Sequence, residues 1–540
     1  MSSQETPPFP LAPGWSFARD LALLVGTGLD DAARWLVARG QERALLLLPE
    51  DAPQPELGER VRVVRSRGEL LQAILHYPPP LPLHVVLRTG PDPWLAPKDL
   101  SALAARVKEC LHAKKLLHHT VEATGKRSLV QGLENLPHLA QHPSIACLDG
   151  AFAGKACVIV SPGPSLSSNL RLLPELRGKA LIATGTHALG AFRSIGLAPD
   201  LVLAADPGDL ARHCAGFDLS AVQAFVAAAT TRPDNFEHPA PRTYSFAGNA
   251  ELDDWLYEPL GENARLPTGG SVACSAFSLA VRLGCDPIVL VGQDLSYSDG
   301  RFYAAENLDG DARVERGANG DFRVLKTDTS DGDLVFMKSR RRVEVAGYHG
   351  GTVETCDAFR AFLFWFEAAV EARNADGGRV WNCTEGGARI EGAEQLPLAT
   401  ALERLTDERV DVAAVLERCA PLSSPSERAE RLARHFRGTL RELDACTRLA
   451  RRCKQAASSA SRDRRALKEF ETLERRLRDA VRPLRCIPIV AQAEITAALE
   501  EARAAGDLAA NLRSSIRLFD VFREAAEYVR GPIEGALEKL

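Results

Sequence analysis

The sequence lacks any long apolar run, and this absence excludes one class of protein. No stretch of its 540 residues approaches the roughly 20 apolar residues that a membrane helix needs. The first residues, MSSQETPPFPLAPGW, also lack the basic start and apolar core of a signal peptide. We therefore expect a cytoplasmic protein without an integral membrane segment.

Cysteine pairs and a strong net charge are missing as well. The twelve cysteines are scattered without a CxxC pair, and Cys157, Cys274 and Cys285 have apolar surroundings. This pattern predicts buried free thiols rather than disulfides or zinc ligands. A net charge of −5 creates no general field that favours nucleic acid or an anionic membrane. What remains is a globular chain long enough for two or three domains.

One stretch, KACVIVSPGPS at 155–165, organises the rest of the chain. It begins as an apolar strand and breaks into a Gly/Pro turn, after which Leu166, Leu170 and Leu173 recur at helical spacing. Such a turn binds phosphate, because backbone N–H groups and a positive helix N-terminus face the ligand. We expect Gly163, Pro164 and Ser165 to contact the ligand, and Ser165 to cap the helix. The alternative is a strand-to-helix turn that holds no ligand.

Polar clusters follow three further apolar runs. The runs at 180–183, 201–205 and 288–291 end in Thr184-Gly185-Thr186-His187, Asp206-Pro207 and Gly292-Gln293-Asp294-Leu295. Helical stretches separate the runs, which predicts a parallel sheet with ligand sites at the carboxyl ends of its strands. We expect the clusters to line one crevice, with Thr186, Asp206, Gln293 and Asp294 among the binding residues. An Asp that only forms a turn is the alternative at each position.

A second glycine turn, Thr268-Gly269-Gly270-Ser271, precedes a predicted helix at 272–283. Two helix N-termini at one crevice suit a ligand with more than one anionic centre, such as a nucleotide diphosphate or a CMP-sugar. We therefore expect Gly269, Gly270 and Ser271 to bind the ligand. Close packing of helix on sheet is the alternative explanation for these small residues.

Four segments carry a family resemblance. They are GPSL (163–166), PDLVLAADP (199–207), GGSVACSAFSLAVRLGCDPIVLVGQDLSYSDG (269–300) and NCTEGGARIEG (382–392). Together they resemble the motility-associated factor (Maf) family of bacterial flagellin glycosyltransferases over roughly 150–395. Members commonly have a His shortly after the GQDL block, where this chain has Arg301-Phe302-Tyr303.

The resemblance implies both a fold and an activity. The fold is α/β, with a Rossmann-like parallel-sheet core similar to bacterial sialyltransferases. The activity is transfer of a nonulosonic acid, of the pseudaminic or legionaminic type, from a CMP-activated donor to Ser/Thr hydroxyls of flagellin or a similar surface protein. No cofactor is implied with certainty, and a divalent cation remains an open alternative.

The sequence divides into five predicted segments. They are a disordered N-terminus at 1–17, a small α/β domain at 18–97, a helical connector at 98–150, a catalytic core at 151–395 with an insertion at 299–351, and a helical bundle at 396–540. In the small domain a GxG follows the first strand, but the third glycine of a dinucleotide fingerprint is missing and Asp30 and Asp31 would repel a pyrophosphate. We interpret this domain as structural or regulatory.

The insertion follows a strand end, where long polar loops often act as lids or acceptor-binding loops. Its basic run, Lys338, Arg340, Arg341 and Arg342, either meets a donor anion or forms a solvated face. His349 is its only imidazole and suits a general base near neutral pH, with Asp206 and Asp294 as alternatives.

Two further features leave alternatives open. The turn with Gly386 and Gly387 either brings the backbone close to the ligand or is a simple turn. The helical region after 396 has apolar stripes and no catalytic constellation, so it is an acceptor-protein platform or a domain that packs on the core. On the first interpretation, a chain ending near 395 keeps nucleotide binding and loses transfer to protein.

Two other functions compete with glycosyl transfer. The same core motifs resemble archaeal 6-hydroxymethylpterin diphosphokinases, which require ATP and a divalent cation that Asp206 and Asp294 would bind. A protein that binds a nucleotide sugar without turning it over is the second rival.

Overall fold

The chain forms an α/β protein with two parallel sheets and a helical C-terminal region. The computed structural model describes residues 9–11, 15–17, 20–57, 61–75, 84–91, 95–208, 211–248, 250–327, 334–405, 409–460, 464–504 and 507–540.

The first sheet has four parallel strands in the order β3-β2-β1-β4. Its elements are β1 (Leu21–Val25), α1 (Asp30–Ala38), β2 (Ala44–Leu47), β3 (Val61–Val64), α2 (Arg67–Leu75) and β4 (Val85–Thr89). The predicted segment 1–17 lies partly outside the described residues. Among its described residues, Phe9 is only 4% exposed and Trp15 donates its indole N–H to Gln41 Oε1 at 3.2 Å.

Two helices connect this sheet to the next, α3 (Pro97–Glu134) and α4 (Leu136–Gln141). A proline at the first position of α3 has the backbone φ that a helix start needs. α3 begins one residue before the predicted connector at 98–150, and α4 lies inside that range.

The second sheet is the core of the molecule, and its eight strands are all parallel. Six of its strands and the helices between them follow one another along the chain. They are β5 (Cys157–Val160), α5 (Leu166–Asn169), β6 (Leu181–Gly185), α6 (Leu189–Ser194), β7 (Leu201–Ala204), α7 (Ala211–Cys214), β8 (Ala224–Ala228), β9 (Thr243–Phe246), α8 (Ala250–Tyr257), α9 (Val272–Arg282) and β10 (Ile288–Val291). β5, β7 and β10 are buried along their whole length, as expected of strands with helices on both faces.

The insertion then forms two small antiparallel sheets. The first contains β11 (Arg313–Arg316), β12 (Phe322–Thr327) and β13 (Leu334–Arg340), and the second is the hairpin of β14 (Arg342–Ala346) and β15 (Thr352–Cys356). The helix α10 (Asp357–Ala375) follows, and β16 (Val380–Asn382) and β17 (Glu394–Gln395) complete the core sheet. The core strand order is β17-β16-β10-β5-β6-β7-β8-β9.

Two helices after the sheet pack on its faces, α11 (Leu398–Arg404) and α12 (Val412–Arg418). The helical bundle itself consists of α13 (Pro425–Ala460), α14 (Arg464–Val481), α15 (Cys486–Ala504) and α16 (Leu508–Leu537). Its apolar stripes are buried together with residues of β8 and α8 in one cluster. The long helix α3 packs against α10, α15 and α16, and so links the bundle to the core.

The structure bears on the expectations about cysteine pairing and about membrane helices. All twelve cysteines are free thiols, and nine of them are buried. None of the described helices combines the length and apolarity required to cross a membrane.

Candidate functional site

A cavity of about 530 Å³ opens at the carboxyl end of the core sheet, where β5 and β10 lie side by side. The direction of strand addition reverses there, and open parallel sheets bind ligands at such switch points. The turns after four strands line the cavity: 161–164 after β5, Gly185 with His187 after β6, Asp206 with Pro207 after β7, and 292–295 after β10. The structure thus brings together the four clusters that the sequence placed at one crevice, in a volume typical of small-molecule sites.

The turn after β5 is filled by a carboxylate of the protein itself. Ser165 donates its backbone N–H to Asp294 Oδ1 (3.0 Å) and its hydroxyl to Asp294 Oδ2 (2.7 Å). A Cβ at Gly163 would lie 2.1 Å from Asp294 Oδ2, so glycine is required by this contact. The prediction that Ser165 caps a helix was wrong, because its side chain makes no capping hydrogen bond and α5 has only four residues. The backbone N–H and hydroxyl of Ser165, which were predicted to bind phosphate, bind the Asp294 carboxylate.

Asp294 is 1% exposed. Burial raises the pKa of its carboxyl to about 6, although the hydrogen bonds from Ser165 act in the opposite direction. The group therefore changes protonation close to neutral pH.

The other polar side chain of this loop is also engaged. Gln293 Oε1 accepts from the Ser161 hydroxyl (2.5 Å), and the Gln293 backbone N–H donates to Thr384 Oγ1 (3.1 Å). Gln293 lines the cavity while tying the turns after β5, β10 and β16 together.

The glycine pair at 386–387 packs against these turns and does not line the cavity. A Cβ on Gly387 would lie 2.3 Å from the Asp294 carbonyl oxygen, and one on Gly386 would lie 3.1 Å from Ser165 Cβ. The pair therefore permits a close approach of backbone to the Asp294 loop, where the sequence predicted an approach to ligand.

The second glycine turn leads into α9, a helix of eleven residues. A Cβ at Gly269 would lie 2.4 Å from Trp365 Cγ, which makes this residue a packing position. Gly270 has a φ of +89°, and Ser271 Oγ caps the helix by accepting from the Cys274 N–H (3.4 Å). Gly270 and Ser271 line the cavity, so the positive end of α9 faces it.

Ser275 stands one turn further into α9. It is buried and lines the cavity, and its hydroxyl has no hydrogen-bond partner within the described residues. The hydroxyl of the predicted site residue Thr186 is likewise buried and unpartnered among them, but Thr186 does not line the cavity. A buried hydroxyl gains most from a partner, so Ser275 is suited to bind a ligand.

An imidazole lines the cavity as well. The ring of His187 lies 4.0 Å from that of His213 and 6.0 Å from that of Tyr303, measured between centroids. Burial lowers the pKa of His187, although the nearby Asp206 acts against this, so the ring is mainly neutral at pH 7. Asp206 also lines the cavity, and its Oδ1 accepts the Gly208 backbone N–H at 2.6 Å.

The predicted base His349 lies elsewhere. It is exposed on the turn between β14 and β15, and its Nε2 is 3.1 Å from the Glu385 carbonyl oxygen. It is not one of the cavity-lining residues. Of the three predicted catalytic residues, the cavity contains Asp206 and Asp294.

Several cavity residues were not selected from the sequence. His187 directly follows a predicted site residue, and Ser275 is four residues after the cap of α9, so both had a positional signal. Lys338 and Arg340 also line the cavity. Both belong to the basic run that was predicted either to meet a donor anion or to form a solvated face.

The two residues predicted as alternative ligands of a divalent cation, Asp206 and Asp294, both line the cavity. In the part of the chain that the structure describes, no three His, Cys, Asp or Glu side chains are grouped to hold a metal ion.

Comparisons with known proteins give two findings. A family model described as 6-hydroxymethylpterin diphosphokinase MptE-like matches residues 131–300, whereas no curated protein matches significantly. Among solved structures, the chain is similar to the MAf glycosyltransferase from Magnetospirillum magneticum AMB-1, with 15% identity and a TM-score of 0.42, over 96% of this chain and 78% of that one. Residues 131–300, which include most of the cavity-lining turns, are therefore similar to MptE-like domains.

Proposed function

We propose that this protein is a glycosyltransferase that moves a nonulosonic acid from a CMP-activated donor to Ser/Thr hydroxyls of flagellin or a similar surface protein. One observation carries the proposal: three of the four segments that resemble the Maf family contribute residues to one cavity at the switch point of the core sheet, and the fourth, 382–392, packs against the Asp294 loop. The resemblance to bacterial sialyltransferases belongs to the same proposal.

The reaction makes two demands on this cavity. The acceptor oxygen attacks the anomeric carbon of the sugar, the bond from that carbon to the phosphate oxygen breaks, and CMP leaves with the bonding electron pair. The cavity must therefore stabilise a phosphate and accept a hydroxyl proton. The N-terminus of α9 and the hydroxyl of Ser275 support the first role.

We assign the second role to His187 in place of His349. A general base must be neutral when the acceptor arrives, and burial keeps the pKa of His187 below its usual value. Asp206 lies close enough to stabilise the imidazolium that forms. Asp294 is proposed to act on substrate only through the loop that it fixes with Ser165.

The experiment combines donor turnover with acceptor mass. The purified full chain is incubated with CMP-pseudaminic, CMP-legionaminic or CMP-N-acetylneuraminic acid and with surface proteins from cells that lack the gene. We expect CMP release and an acceptor mass increased by one sugar. Binding without CMP release would support the non-catalytic alternative, and neither binding nor release would overturn the proposal.

One observation favours a second candidate, a diphosphokinase: the family model over residues 131–300. Such an enzyme transfers pyrophosphate from ATP to the hydroxyl of 6-hydroxymethyl-dihydropterin and releases AMP. Incubation with ATP, Mg²⁺ and this pterin separates the candidates, because the diphosphokinase yields AMP and the glycosyltransferase yields none.

A further inference from the structure

The basic run of the insertion divides into two pairs. Arg342 is not a cavity-lining residue and is bound by carboxylates, with Nε 2.6 Å from Glu354 Oε1 and Nη2 2.7 Å from Glu344 Oε1. Arg341 is exposed. Lys338 and Arg340, in contrast, line the cavity.

The strand pairing explains this division. Residues two apart on a strand share a face, and Lys338 and Arg340 are the cross-strand neighbours of Val324 and Phe322 on β12. Both neighbours are buried in the aromatic cluster beneath the insertion. The side chains of Lys338 and Arg340 therefore lie on the buried face of the sheet formed by β11, β12 and β13.

Their surroundings leave the two charges poorly compensated. The Lys338 ammonium lies 4.6 Å from the centroid of the Phe302 ring. Burial lowers the pKa of Lys338, and the charge of Arg340 lowers it further. The acid that acts on it, Asp309, is already 2.6 Å from Lys326 Nζ and 3.4 Å from Arg212 Nη2.

Within the described residues, neither Lys338 nor Arg340 forms a salt bridge. The neighbouring cations Arg212, Lys326 and Arg342 each form one. Two half-buried like charges repel each other, and an anion between them would remove both the repulsion and part of the desolvation cost. A guanidinium presents a planar fork to oxyanions and an ammonium acts as a compact point charge, so the pair suits one carboxylate or phosphate group.

We propose that Lys338 and Arg340 form an oxyanion subsite that binds the sugar carboxylate or the phosphate of the donor. The identity of the ligand rests on the proposed function, whereas the affinity for an oxyanion follows from the two cations alone. The subsite makes the insertion a part of the donor site and selects acidic donors over neutral ones.

The test measures binding to the full chain by calorimetry with three probes: CMP, CMP-N-acetylneuraminic acid and inorganic pyrophosphate. The variants are Lys338→Met, Arg340→Gln and their combination, and Arg341→Ala is the matched control from the same basic run. Loss of charge-assisted hydrogen bonds should weaken binding by about 10- to 100-fold in the double variant. The control should stay within about twofold, since exposed charges contribute little.

The probes identify the bound group. An equal loss for CMP and for the CMP-sugar assigns the subsite to phosphate, and a larger loss for the CMP-sugar assigns it to the carboxylate. Unchanged affinity in a folded double variant, or in both single variants if the double variant does not fold, overturns the proposal.

The pyrophosphate arm separates this proposal from the proposed function. If the wild type binds neither CMP probe but binds pyrophosphate through Lys338 and Arg340, the donor assignment fails and the subsite stands. If the wild type binds none of the three probes, the subsite is overturned as well.

Discussion

The carboxylate of Asp294 occupies the turn after β5, where the sequence predicted a ligand. The backbone N–H and hydroxyl of Ser165 were expected to hold phosphate, and both donate to this carboxylate. The local sequence of an Asp after a strand and of a Ser after a glycine turn is the same in two cases: when the two residues bind a ligand, and when they bind each other. The sequence could therefore place both residues at one edge of the sheet, but it could not show that they pair.

The first prediction concerns the pH dependence of stability. The pKa of Asp294 is raised from 3.8 to about 6, so between pH 6 and 4 the folded state binds a proton that the unfolded chain does not. Wild-type stability should rise as the pH falls through this window, relative to Asp294→Asn, by up to about 3 kcal/mol. Urea unfolding of both proteins at pH 4, 5, 6 and 7 measures the difference. A constant difference across this range would contradict the raised pKa.

The second prediction assigns the base. His187→Ala should reduce turnover by about 10²–10⁴-fold while donor affinity stays nearly intact, because a general base acts on the chemical step. His349→Ala, on the exposed hairpin turn, should leave turnover close to wild type. Because the pKa of His187 is lowered, the wild-type rate should fall only below about pH 6.5. The reverse result, with His349 essential and His187 dispensable, would restore the sequence-based assignment.

At the scale of elements, the sequence predicts the position of a core strand more accurately than the regularity of the helix after Ser165. The apolar run 288–291 has the bounds of the strand found in the structure, because a four-residue apolar run between turns is typical of a buried parallel strand. The helix predicted after Ser165 is one α-turn followed by a 3₁₀ segment, Leu170–Leu176. Pro174 inside that segment lacks the N–H that a regular helix requires.

The third prediction tests the α9 end of the cavity. Ser275→Ala removes a buried hydroxyl that has no partner among the described residues, so the melting temperature should stay unchanged or rise. Donor affinity should fall by about 2- to 10-fold, the effect of one neutral hydrogen bond. Ser278→Ala is the control on the same helix, because its hydroxyl donates to the Pro267 carbonyl oxygen at 2.6 Å. That variant should lose stability and keep its affinity; equal donor affinity in Ser275→Ala and wild type would remove Ser275 from the site.

At the scale of the molecule, the C-terminal bundle and the core sheet share one hydrophobic cluster. Phe225 of β8, Trp255 of α8 and Phe436 of α13 all belong to it, and the rings of the last two are 5.0 Å apart. The apolar stripes predicted the helices but could not show what covers them, since a stripe fits a protein partner as well as an intramolecular one.

The fourth prediction follows from this shared cluster. A chain that ends near 395 should aggregate or unfold, because it exposes the core side of the cluster together with the faces that α11 and α12 cover. This outcome differs from the sequence-based expectation that such a chain keeps nucleotide binding. Size-exclusion chromatography and circular dichroism of the truncated chain decide between them, and a monomeric, folded product would show that the bundle is dispensable for the core.

The last prediction tests a single buried contact between bundle and core. The side chain of Arg428, on α13, is 2% exposed and that of its partner Glu262 is 4% exposed. The guanidinium also donates to the carbonyl oxygens of Leu139 (2.6 Å) and His142 (3.2 Å). Arg428→Leu removes the cation that pairs with Glu262 and the guanidinium donors to both carbonyl oxygens, and it leaves the buried carboxylate with only the hydroxyls of Ser144 and Ser423. The free energy of unfolding should therefore fall by about 3–5 kcal/mol. Arg434→Ala, an exposed arginine on the same helix, should change it by less than about 0.5 kcal/mol. Denaturant unfolding measures both variants, and equal stability would show that apolar contacts alone hold the bundle on the sheet.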